Sequence, residues 1–405
     1  MMKKETVNIG IVGVGSRGSH LLSLLADVEG VRVTAVCDRL EDRLYAARDK
    51  ISGIYGHEIG AYFDYRAMFR EAALDGVIVS TSWPSHIEIA AAAMENGIAP
   101  AVECGGADSA DEAWKLVRTS ERTGIPCMFL ENCCYMRAEI SLLKMVKMGV
   151  FGEITYCEGG YQHDLRAMIA NRREARQERW DAYLYKNAEL YPSHELGPIM
   201  KWLKINHGNR IVSLVSMASK ARGLNLYSLE HRGEPLLTEQ GDVVTTLMKC
   251  AHGETIRLTY DTTLPRPYSR GARLQGTRGL WMEDNNGIYI EGLSPQVPGH
   301  GAWESFTTYL DNPAYEHELW TNYRSAGVKG GHGGCDFLVL SAFADSLRRG
   351  IQPPIDVYDA ATIMAITPLS AESIASGGRP VPVPDFTDGR WIKRDPYPDT
   401  PYKLD

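Results

Sequence analysis

The chain has 405 residues, of which 44% are hydrophobic and 23% charged. These values are ordinary for a folded globular protein, and the length predicts two domains, with three as the alternative. The 43 Lys and Arg residues against 51 Asp and Glu residues give a net charge of −8. This charge argues against a dedicated nucleic-acid binder, which needs a basic face. No apolar run approaches a membrane span and no export signal precedes the first apolar run, so we expect a cytoplasmic protein.

The eight cysteines are scattered, apart from the adjacent pair Cys133 and Cys134. None belongs to a C-x-x-C pair, so their spacing indicates neither a zinc site nor a disulfide framework. We expect most of them to be small buried hydrophobic residues, and we predict no metal site.

A glycine-rich turn follows the first apolar run of the chain. It reads G-x-G-x-x-G at Gly13, Gly15 and Gly18 and leads into a helical stretch. Such a turn lets the backbone approach a pyrophosphate, which the N-terminus of the helix then attracts. The second apolar run ends at Asp38, whose carboxylate can accept hydrogen bonds from ribose hydroxyls and would repel a 2′-phosphate. The sequence therefore predicts an NAD site; the alternative is an α/β domain with the same turn and no cofactor.

Predicted strands and helices alternate through the first 130 residues. Further strands are predicted at residues 75–81, 98–102 and 126–130, and helices at residues 87–96 and 108–123. This alternation is typical of an α/β domain with a doubly wound parallel sheet, the Rossmann fold, in which ligands lie at the carboxyl ends of the strands.

After about residue 150, strand follows strand with few helices between. The predicted strands lie at residues 152–161, 211–218, 241–250, 255–262, 272–275, 279–283 and 287–291, and helices at residues 335–349 and 359–376. Consecutive strands favour an antiparallel or mixed sheet, so the second domain is predicted to be α+β. The predicted boundaries are 1–132 for the NAD-binding domain, 133–385 for the substrate-binding domain and 386–405 for a proline-rich tail, which we expect to pack extended on the surface.

Three segments of the second domain combine tyrosine, histidine or arginine with glycine or proline. They are residues 159–166, at the end of a predicted strand, 190–198 and 265–270, and we expect each to place these residues in a loop. Tyrosine and histidine suit sugar recognition and proton transfer because each can donate or accept a hydrogen bond.

Each candidate side chain in these segments has a structural alternative. Tyr161 can fill the core, and His163 and His194 can cap or stabilise a loop. Arg270 can be an ordinary surface charge. His332, which lies between two pairs of glycines, can belong to a mobile loop or to a close helix contact.

At these segments the chain resembles the Gfo/Idh/MocA oxidoreductases, which pair a Rossmann domain with an open-faced sheet domain. Within that group it is most similar to the NAD-dependent glycosidases of glycoside hydrolase family 109, typified by α-N-acetylgalactosaminidase. The resemblance covers nearly the whole chain. Its most specific segments are residues 114–118, 129–132, 149–166, 190–198, 261–270 and 332–337.

The resemblance implies two sets of site residues. Those expected to contact NAD, together with the three glycines, are Ser16, Arg17, Asp38, Trp83, Pro84, Ser85, His86, Glu103, Cys104 and Asn132. Those expected to surround the sugar, and to act in catalysis, are Tyr161, His163, Tyr191, His194 and Tyr268.

The resemblance also implies a mechanism, in which tightly bound NAD serves a cycle of oxidation, elimination, hydration and reduction. Hydride leaves C3 of the sugar, a base removes the C2 proton, the leaving group departs from C1, water adds, and the hydride returns to C3. His194 is expected to be the base at the C3 hydroxyl and Tyr161 the base at C2, with His163 tuning its pKa. Tyr191 and Tyr268 are expected to orient the sugar or assist the leaving group. The expected substrate is an α-glycoside such as an N-acetylgalactosaminide.

Three positions depart from the related patterns. Cys104 stands where many Gfo/Idh/MocA dehydrogenases carry a lysine that contacts the reacting hydroxyl, which favours the glycosidase. Asp181 stands where the glycosidases are expected to carry a substrate-binding arginine, and Glu195 replaces a glycine after His194. The alternatives are an NAD-dependent sugar or cyclitol dehydrogenase and a non-catalytic dinucleotide-sensing regulator. We also expect a homo-oligomer, a dimer or higher, because the family often pairs through its open sheet.

Overall fold

The computed structural model describes residues 3–297 and 300–405 and contains two large sheets. The first consists of β1 (Val7–Val12), β2 (Val31–Cys37), β3 (Gly60–Tyr62), β4 (Gly76–Val79), β5 (Ala99–Val102) and β6 (Met128–Phe129). All neighbouring pairs are parallel, in the order β3-β2-β1-β4-β5-β6. The helices of this part are α1 (Ser16–Leu25), α2 (Glu41–Tyr55), α3 (Tyr65–Glu71), α4 (His86–Glu95) and α5 (Ala110–Thr123). The strand order reverses beside β1, so the predicted doubly wound sheet is confirmed.

The second sheet is mixed, as predicted. Its strands are β7 (Ile154–Gln162), β8 (Ile211–Ala218), β9 (Val243–Cys250), β10 (Thr255–Asp261), β11 (Arg273–Gly276), β12 (Gly279–Met282), β13 (Gly287–Ile290), β16 (Glu304–Ser305) and β17 (Val381–Pro382). The strands β14 (Gln296–Val297) and β15 (His300–Gly301) form a separate two-stranded ribbon. The sheet order is β16-β13-β12-β11-β7-β10-β9-β8-β17. Strand β7 pairs parallel with β10, whereas the other pairings of this sheet are antiparallel.

The helices of the second part pack on this sheet and join it to the first. They are α6 (Arg137–Lys147), α7 (Arg166–Ala170), α8 (Ala182–Tyr185), α9 (Ser193–Trp202), α10 (Gly223–Arg232), α11 (Phe306–Leu310), α12 (Glu318–Ala326), α13 (Cys335–Arg349) and α14 (Val357–Ala375). One apolar core runs through both sheets, since it includes Ile9 of β1, Phe129 of β6, Ile363 of α14 and Leu258 of β10, all fully buried. A continuous core holds the carboxyl ends of the first sheet beside the second sheet.

Several predicted element boundaries were wrong, two of them with a clear physical reason. Segment 190–198 is not only a loop, because α9 begins at Ser193 directly after Pro192. Helix α14 begins at Val357 rather than near residue 359, since the Asp356 side chain caps it by accepting hydrogen bonds from two backbone N–H groups of its first turn.

The predicted placement of the tail was also wrong in part. The tail is not confined to the surface, because Phe386 is buried against Trp114, with their rings 4.9 Å apart. An aromatic side chain of this size is more stable in the core than in water, so it anchors the start of the tail.

Two further predictions concern the cysteines and the membrane. All eight cysteines are buried and none forms a disulfide, as predicted. Within the described residues, no helix combines the length and the apolar character that crossing a membrane requires. The domain boundaries at residues 132 and 385 stay predictions.

Candidate active site

The glycine turn after β1 leaves no room for a side chain at Gly13 or Gly18. Gly13 has φ +89°, and a Cβ on it would lie 2.7 Å from the backbone oxygen of Ser80. A Cβ on Gly18 would lie 1.9 Å from the Gly13 carbonyl oxygen. Helix α1 begins directly after Gly15, and no side chain caps it. A tight glycine turn against an uncapped helix N-terminus fits the pyrophosphate of a dinucleotide.

The other residues predicted to contact NAD lie along the carboxyl edge of the first sheet. Residues 83–86 follow β4, Glu103 and Cys104 follow β5, and Asn132 follows β6. Asp38 follows β2, where its carboxylate accepts the N–H groups of Val14 and Leu40, each at 2.9 Å. The structure therefore brings all of these residues to the edge where a doubly wound sheet binds its ligand.

Two of the residues predicted to contact NAD bind the same carboxylate, that of Asp336. Both terminal nitrogens of Arg17 donate to Asp336, and its Nε donates to Glu103 Oε1 at 3.0 Å. Asn132 also donates to Asp336, at 2.7 Å. Asp336 was missed by the sequence analysis, because it lies about 200 residues further along the chain than Asn132.

The five residues predicted to surround the sugar form one aromatic cluster. Tyr161 lies near the end of β7, with its ring centroid 4.8 Å from that of Tyr191, 5.6 Å from that of His194 and 6.2 Å from that of Tyr268. His163 lies 5.3 Å from Tyr268. Trp83, from the predicted NAD edge, lies 5.8 Å from Tyr191. The cluster is thus next to the carboxyl ends of the first sheet.

His194 is held by a carboxylate that the sequence analysis did not single out. Its Nδ1 lies 3.0 Å from Oε1 and 3.2 Å from Oε2 of Glu131, which is fully buried. Burial opposes ionisation of Glu131, but the charge of His194 and its hydrogen bond outweigh burial and lower the pKa to about 2. Glu131 is therefore ionised at neutral pH. A carboxylate on Nδ1 leaves Nε2 as the nitrogen that can exchange a proton with a ligand.

Cys104 belongs to the same group. Its Sγ donates to Oε2 of Glu131 at 3.1 Å. Burial raises the pKa of the Cys104 thiol, and the negative charge of Glu131 raises it further. The residue that replaces the dehydrogenase lysine is thus a neutral thiol that stabilises the partner of His194.

Tyr161 and His163 form a second hydrogen-bonded pair in the cluster. The Tyr161 hydroxyl lies 3.2 Å from Nδ1 of His163. Burial raises the pKa of Tyr161, and the positive charge of Arg179 partly offsets this effect. Burial lowers the pKa of His163, so that its ring is neutral and able to accept a proton.

Arg270 and Glu195 lie beneath the cluster rather than at the surface. Arg270 is 3% exposed, and its guanidinium is 2.5 Å from Glu139 and 2.6 Å from Glu283. Glu195 is buried, and a Cβ on Gly159 of β7 would lie 1.8 Å from its Cγ. The carboxylate that replaces a glycine after His194 therefore fills space beneath β7.

In the segment around Asp181, the arginine beside the cluster is Arg179 and not residue 181. Asp181 accepts a hydrogen bond from the buried Arg172 at 2.8 Å. The guanidinium of Arg179 instead stacks on the Trp180 ring, 3.9 Å from its centroid. Trp180 in turn lies 6.3 Å from Trp83. Arg179 was missed because the pattern of the family places the arginine two positions later.

Glu131 could have been found by the argument that identified Asp38. It follows the predicted strand at 126–130, so it lies at the carboxyl edge of the sheet. No local signal distinguishes it from the many carboxylates of the chain, and its partner is 63 residues away.

Glu189 lies two residues before Tyr191 in the sequence, and its burial leads us to expect that stability depends on pH. It is fully buried, and burial raises its pKa to about 8, although the N–H of Tyr191 slightly favours the charge. Between pH 4.5 and 8 the folded state holds a proton that the unfolded state releases. Stability from this group is therefore lost as pH rises through that window, by about 1.4 kcal/mol per pH unit.

The variant Glu189→Gln should lack this loss. We expect the difference between its free energy of unfolding and that of wild type, measured by urea titration, to shift steadily in favour of the variant from about pH 5 to about pH 8. The exposed Glu372→Gln in α14 serves as the control and should show no such trend. A constant difference between Glu189→Gln and wild type across this range would contradict the prediction.

Comparisons with known proteins agree with this geometry. Residues 135–393 match the model of the glycosyl hydrolase 109 C-terminal domain, and residues 7–130 match that of the oxidoreductase family with an NAD-binding Rossmann fold. A glycosyl hydrolase family 109 protein of Stenotrophomonas maltophilia (strain K279a) is 39% identical over 96% of this chain and 91% of its own length. An α-N-acetylgalactosaminidase of Tannerella forsythia is 36% identical over 96% of this chain and 88% of its own length.

Solved structures show the same fold at low identity. The scyllo-inositol dehydrogenase of Lactobacillus casei with bound NAD(H) and scyllo-inositol has a TM-score of 0.65 and 13% identity, over 93% of this chain and 99% of that chain. The resemblance predicted from the sequence is confirmed, and with it NAD as the cofactor and a glycosidase as the class of enzyme. The two family models cover nearly all of the chain, and the chain belongs to glycosyl hydrolase family 109.

Proposed function

We propose that this enzyme hydrolyses an α-glycoside, with an N-acetylgalactosaminide as the first candidate, through NAD bound beside the aromatic cluster. The observation that carries the proposal is the proximity of two proton-transfer pairs. His194 with Glu131, and Tyr161 with His163, meet where the Tyr161 and His194 rings are 5.6 Å apart. This separation suits bases that serve adjacent carbon atoms of one sugar ring. The name of the Tannerella forsythia relative supports the choice of sugar.

His194 acts at the C3 hydroxyl. When bound, NAD supplies a reversible hydride acceptor for C3. Nε2 of His194 accepts the hydroxyl proton, and the buried Glu131 carboxylate stabilises the positive charge that the ring acquires. Cys104 leaves this transfer to the histidine, since its thiol stays protonated.

Tyr161 acts at the neighbouring C2. Its hydroxyl passes its proton to Nδ1 of His163, and the resulting phenolate removes the C2 proton. Burial opposes this transfer, because it raises the pKa of Tyr161 and lowers that of His163. The positive charge of Arg179 favours the phenolate. Tyr191 and Tyr268 flank Tyr161 and orient the sugar between the two pairs.

The residues at the carboxyl edge of the first sheet hold the cofactor. The glycine turn and the backbone of Ser16 and Arg17 receive the pyrophosphate, and Asp38 receives the adenosine ribose. Residues 83–86, with Glu103, Cys104 and Asn132, would hold the nicotinamide half. The cytoplasmic location, the absence of a nucleic-acid partner and the homo-oligomer stay predictions.

The function is tested with purified protein and no added NAD. The substrates are 4-nitrophenyl α- and β-glycosides of galactose, glucose and their N-acetylated forms. The proposal expects many turnovers per chain, with the highest rate on an α-glycoside and with no NADH accumulating. One equivalent of NADH and a keto sugar without nitrophenol release would instead show a dehydrogenase. A protein that binds NAD but shows no reaction across the panel would favour the regulator.

The variant Tyr161→Phe is expected to block proton removal at C2. Loss of a positioned base costs about 10²–10⁴-fold in rate, so exchange of the C2 hydrogen with D₂O, followed by NMR, should slow by at least about 10²-fold. Tyr156→Phe is the matched control, because Tyr156 also lies on β7 but its hydroxyl binds Glu158. Exchange at the wild-type rate in Tyr161→Phe would assign the base to another residue.

A further inference from the structure

Four side chains converge on the buried carboxylate of Asp336 in the first turn of α13. Oδ1 accepts hydrogen bonds from Arg17 Nη2 at 2.9 Å and Asn132 Nδ2 at 2.7 Å. Oδ2 accepts one from Arg17 Nη1 at 2.8 Å and lies 3.0 Å from His20 Nε2 and 2.7 Å from His332 Nδ1. Burial disfavours the charge, but the hydrogen bonds from His332 and Arg17 outweigh burial, so that the pKa of Asp336 lies well below its ordinary value.

These partners come from separate parts of the predicted NAD edge. Arg17 lies in the first turn of α1, directly after the glycine turn, and Asn132 follows β6. Arg17 also binds Glu103, which follows β5. One carboxylate of the second domain therefore connects the N-terminus of α1 with the carboxyl ends of β5 and β6.

This arrangement decides how Arg17 contributes to cofactor binding. Its Nε and both terminal nitrogens are occupied by two carboxylates. A phosphate could form a bidentate pair with the guanidinium only by breaking these contacts. The backbone N–H of Arg17 lies in the first turn of α1, where N–H groups have no partner within the helix. The side chain thus serves to fix the helix rather than to bind the phosphate.

The loop that carries His332 lies against the same helix. A Cβ on Gly331 would be 2.7 Å from the His20 ring, and a Cβ on Gly330 would be 2.5 Å from Leu24, both residues of α1. A side chain at either position would therefore displace the His20 or the Leu24 side chain. The glycines before His332 permit a close contact between this loop and the helix.

His20, His332 and Asp336 also have the residue types of a metal site, with their ligand atoms within 4.8 Å of one another. The guanidinium of Arg17 binds both oxygens of Asp336, so a cation would be repelled and would have to displace it. The geometry favours a fixed ion-pair network.

We propose that Asp336 is a positioning residue for NAD, which holds the N-terminus of α1, Glu103 and Asn132 in the arrangement that retains the dinucleotide. This inference rests on the NAD-dependent function proposed above. It adds a residue of the second domain to the determinants of cofactor retention, although that residue need not touch the cofactor.

The test is Asp336→Asn in the full-length protein. Asparagine has nearly the same size but lacks the charge and cannot accept all these hydrogen bonds. We expect the amount of NAD that copurifies with each chain to fall. The Kd for NADH, measured by energy transfer from protein tryptophan, should rise by about 10²-fold. Asp345→Asn is the matched control, because Asp345 lies on the same helix but binds Arg349 and Thr400.

A second variant keeps the proposal testable if Asp336→Asn does not fold. Arg17→Lys keeps the positive charge but cannot bind Glu103 and both oxygens of Asp336 together, and should raise the Kd about tenfold. Thermal unfolding of the NAD-free proteins distinguishes this positioning role from a purely structural one. A purely structural role would lower the unfolding temperature and leave the Kd unchanged.

The Kd for NADH decides the inference independently of glycoside turnover. An unchanged Kd in a folded Asp336→Asn variant, or in Arg17→Lys if only that variant folds, would overturn the inference while leaving the glycosidase proposal intact. Wild-type protein that retains NAD without hydrolysing any glycoside would overturn the proposed function, and the same Kd measurement would still decide the role of Asp336.

Discussion

Replacement of His194 by alanine is expected to reduce glycoside turnover by about 10⁴-fold or more, while NAD remains bound. In the proposed mechanism Nε2 of His194 serves the C3 hydroxyl, and Cys104 is too weak an acid–base group to replace it. The measurement is kcat on the best aryl glycoside, together with the NAD content of the purified variant.

Two further variants make the His194 result interpretable. Alanine leaves the buried Glu131 charge without its partner, which can destabilise the fold. His194→Asn retains an amide that can donate to Glu131 but cannot act as a base, so it should be equally inactive in a stable protein. His231→Ala in α10, where the exposed His231 contacts Tyr227, should keep full activity. Normal turnover in His194→Ala would remove His194 from the mechanism.

Glu131→Gln is expected to lower kcat by about 10³-fold with little change in KM. The carboxylate fixes the Nδ1–H form of His194 and stabilises its charge during proton transfer. A glutamine amide can present its NH₂ to Nδ1 instead, which favours the opposite tautomer and removes the counter-charge. The exposed Glu153→Gln, just before β7, provides the control. A kcat within about threefold of wild type would show that the pair is only structural.

The same variant has a stability signature. Because the pKa of Glu131 is lowered from 4.5 to about 2, its contribution to stability is complete above pH 4.5 and is lost as pH falls toward 2. Acid unfolding of Glu131→Gln, followed by circular dichroism, should therefore depend less on pH across that window than unfolding of the wild type.

The first sheet could be predicted from the sequence because its signals are local. Each buried parallel strand is a short apolar run, and Gly13 and Gly124 mark the turns beside them. Helix α2 was not predicted, since only Leu44, Ala47 and Ile51 are buried along its 15 residues. So sparse an apolar face gives little helical periodicity.

The candidate site shows a similar division. Tyr161 and His194 could be predicted because the family resemblance marks the segments that contain them. Glu131 and Asp336 also lie in marked segments, but neither was singled out, since their importance arises from contacts across 63 and about 200 residues. Periodicity does not reveal which buried carboxylate will lie beside which distant histidine or arginine.

In the proposed mechanism, hydrolysis proceeds through loss of the C2 proton after reversible oxidation at C3. The direct measurement is hydrolysis of an aryl α-N-acetylgalactosaminide, or of the best substrate in the panel, in D₂O without added NAD, followed by proton NMR of the released sugar. We expect deuterium at C2 of the product and retained hydrogen at C3. Sugar released with its original hydrogen at C2 would contradict it, because a direct displacement at C1 leaves that bond intact.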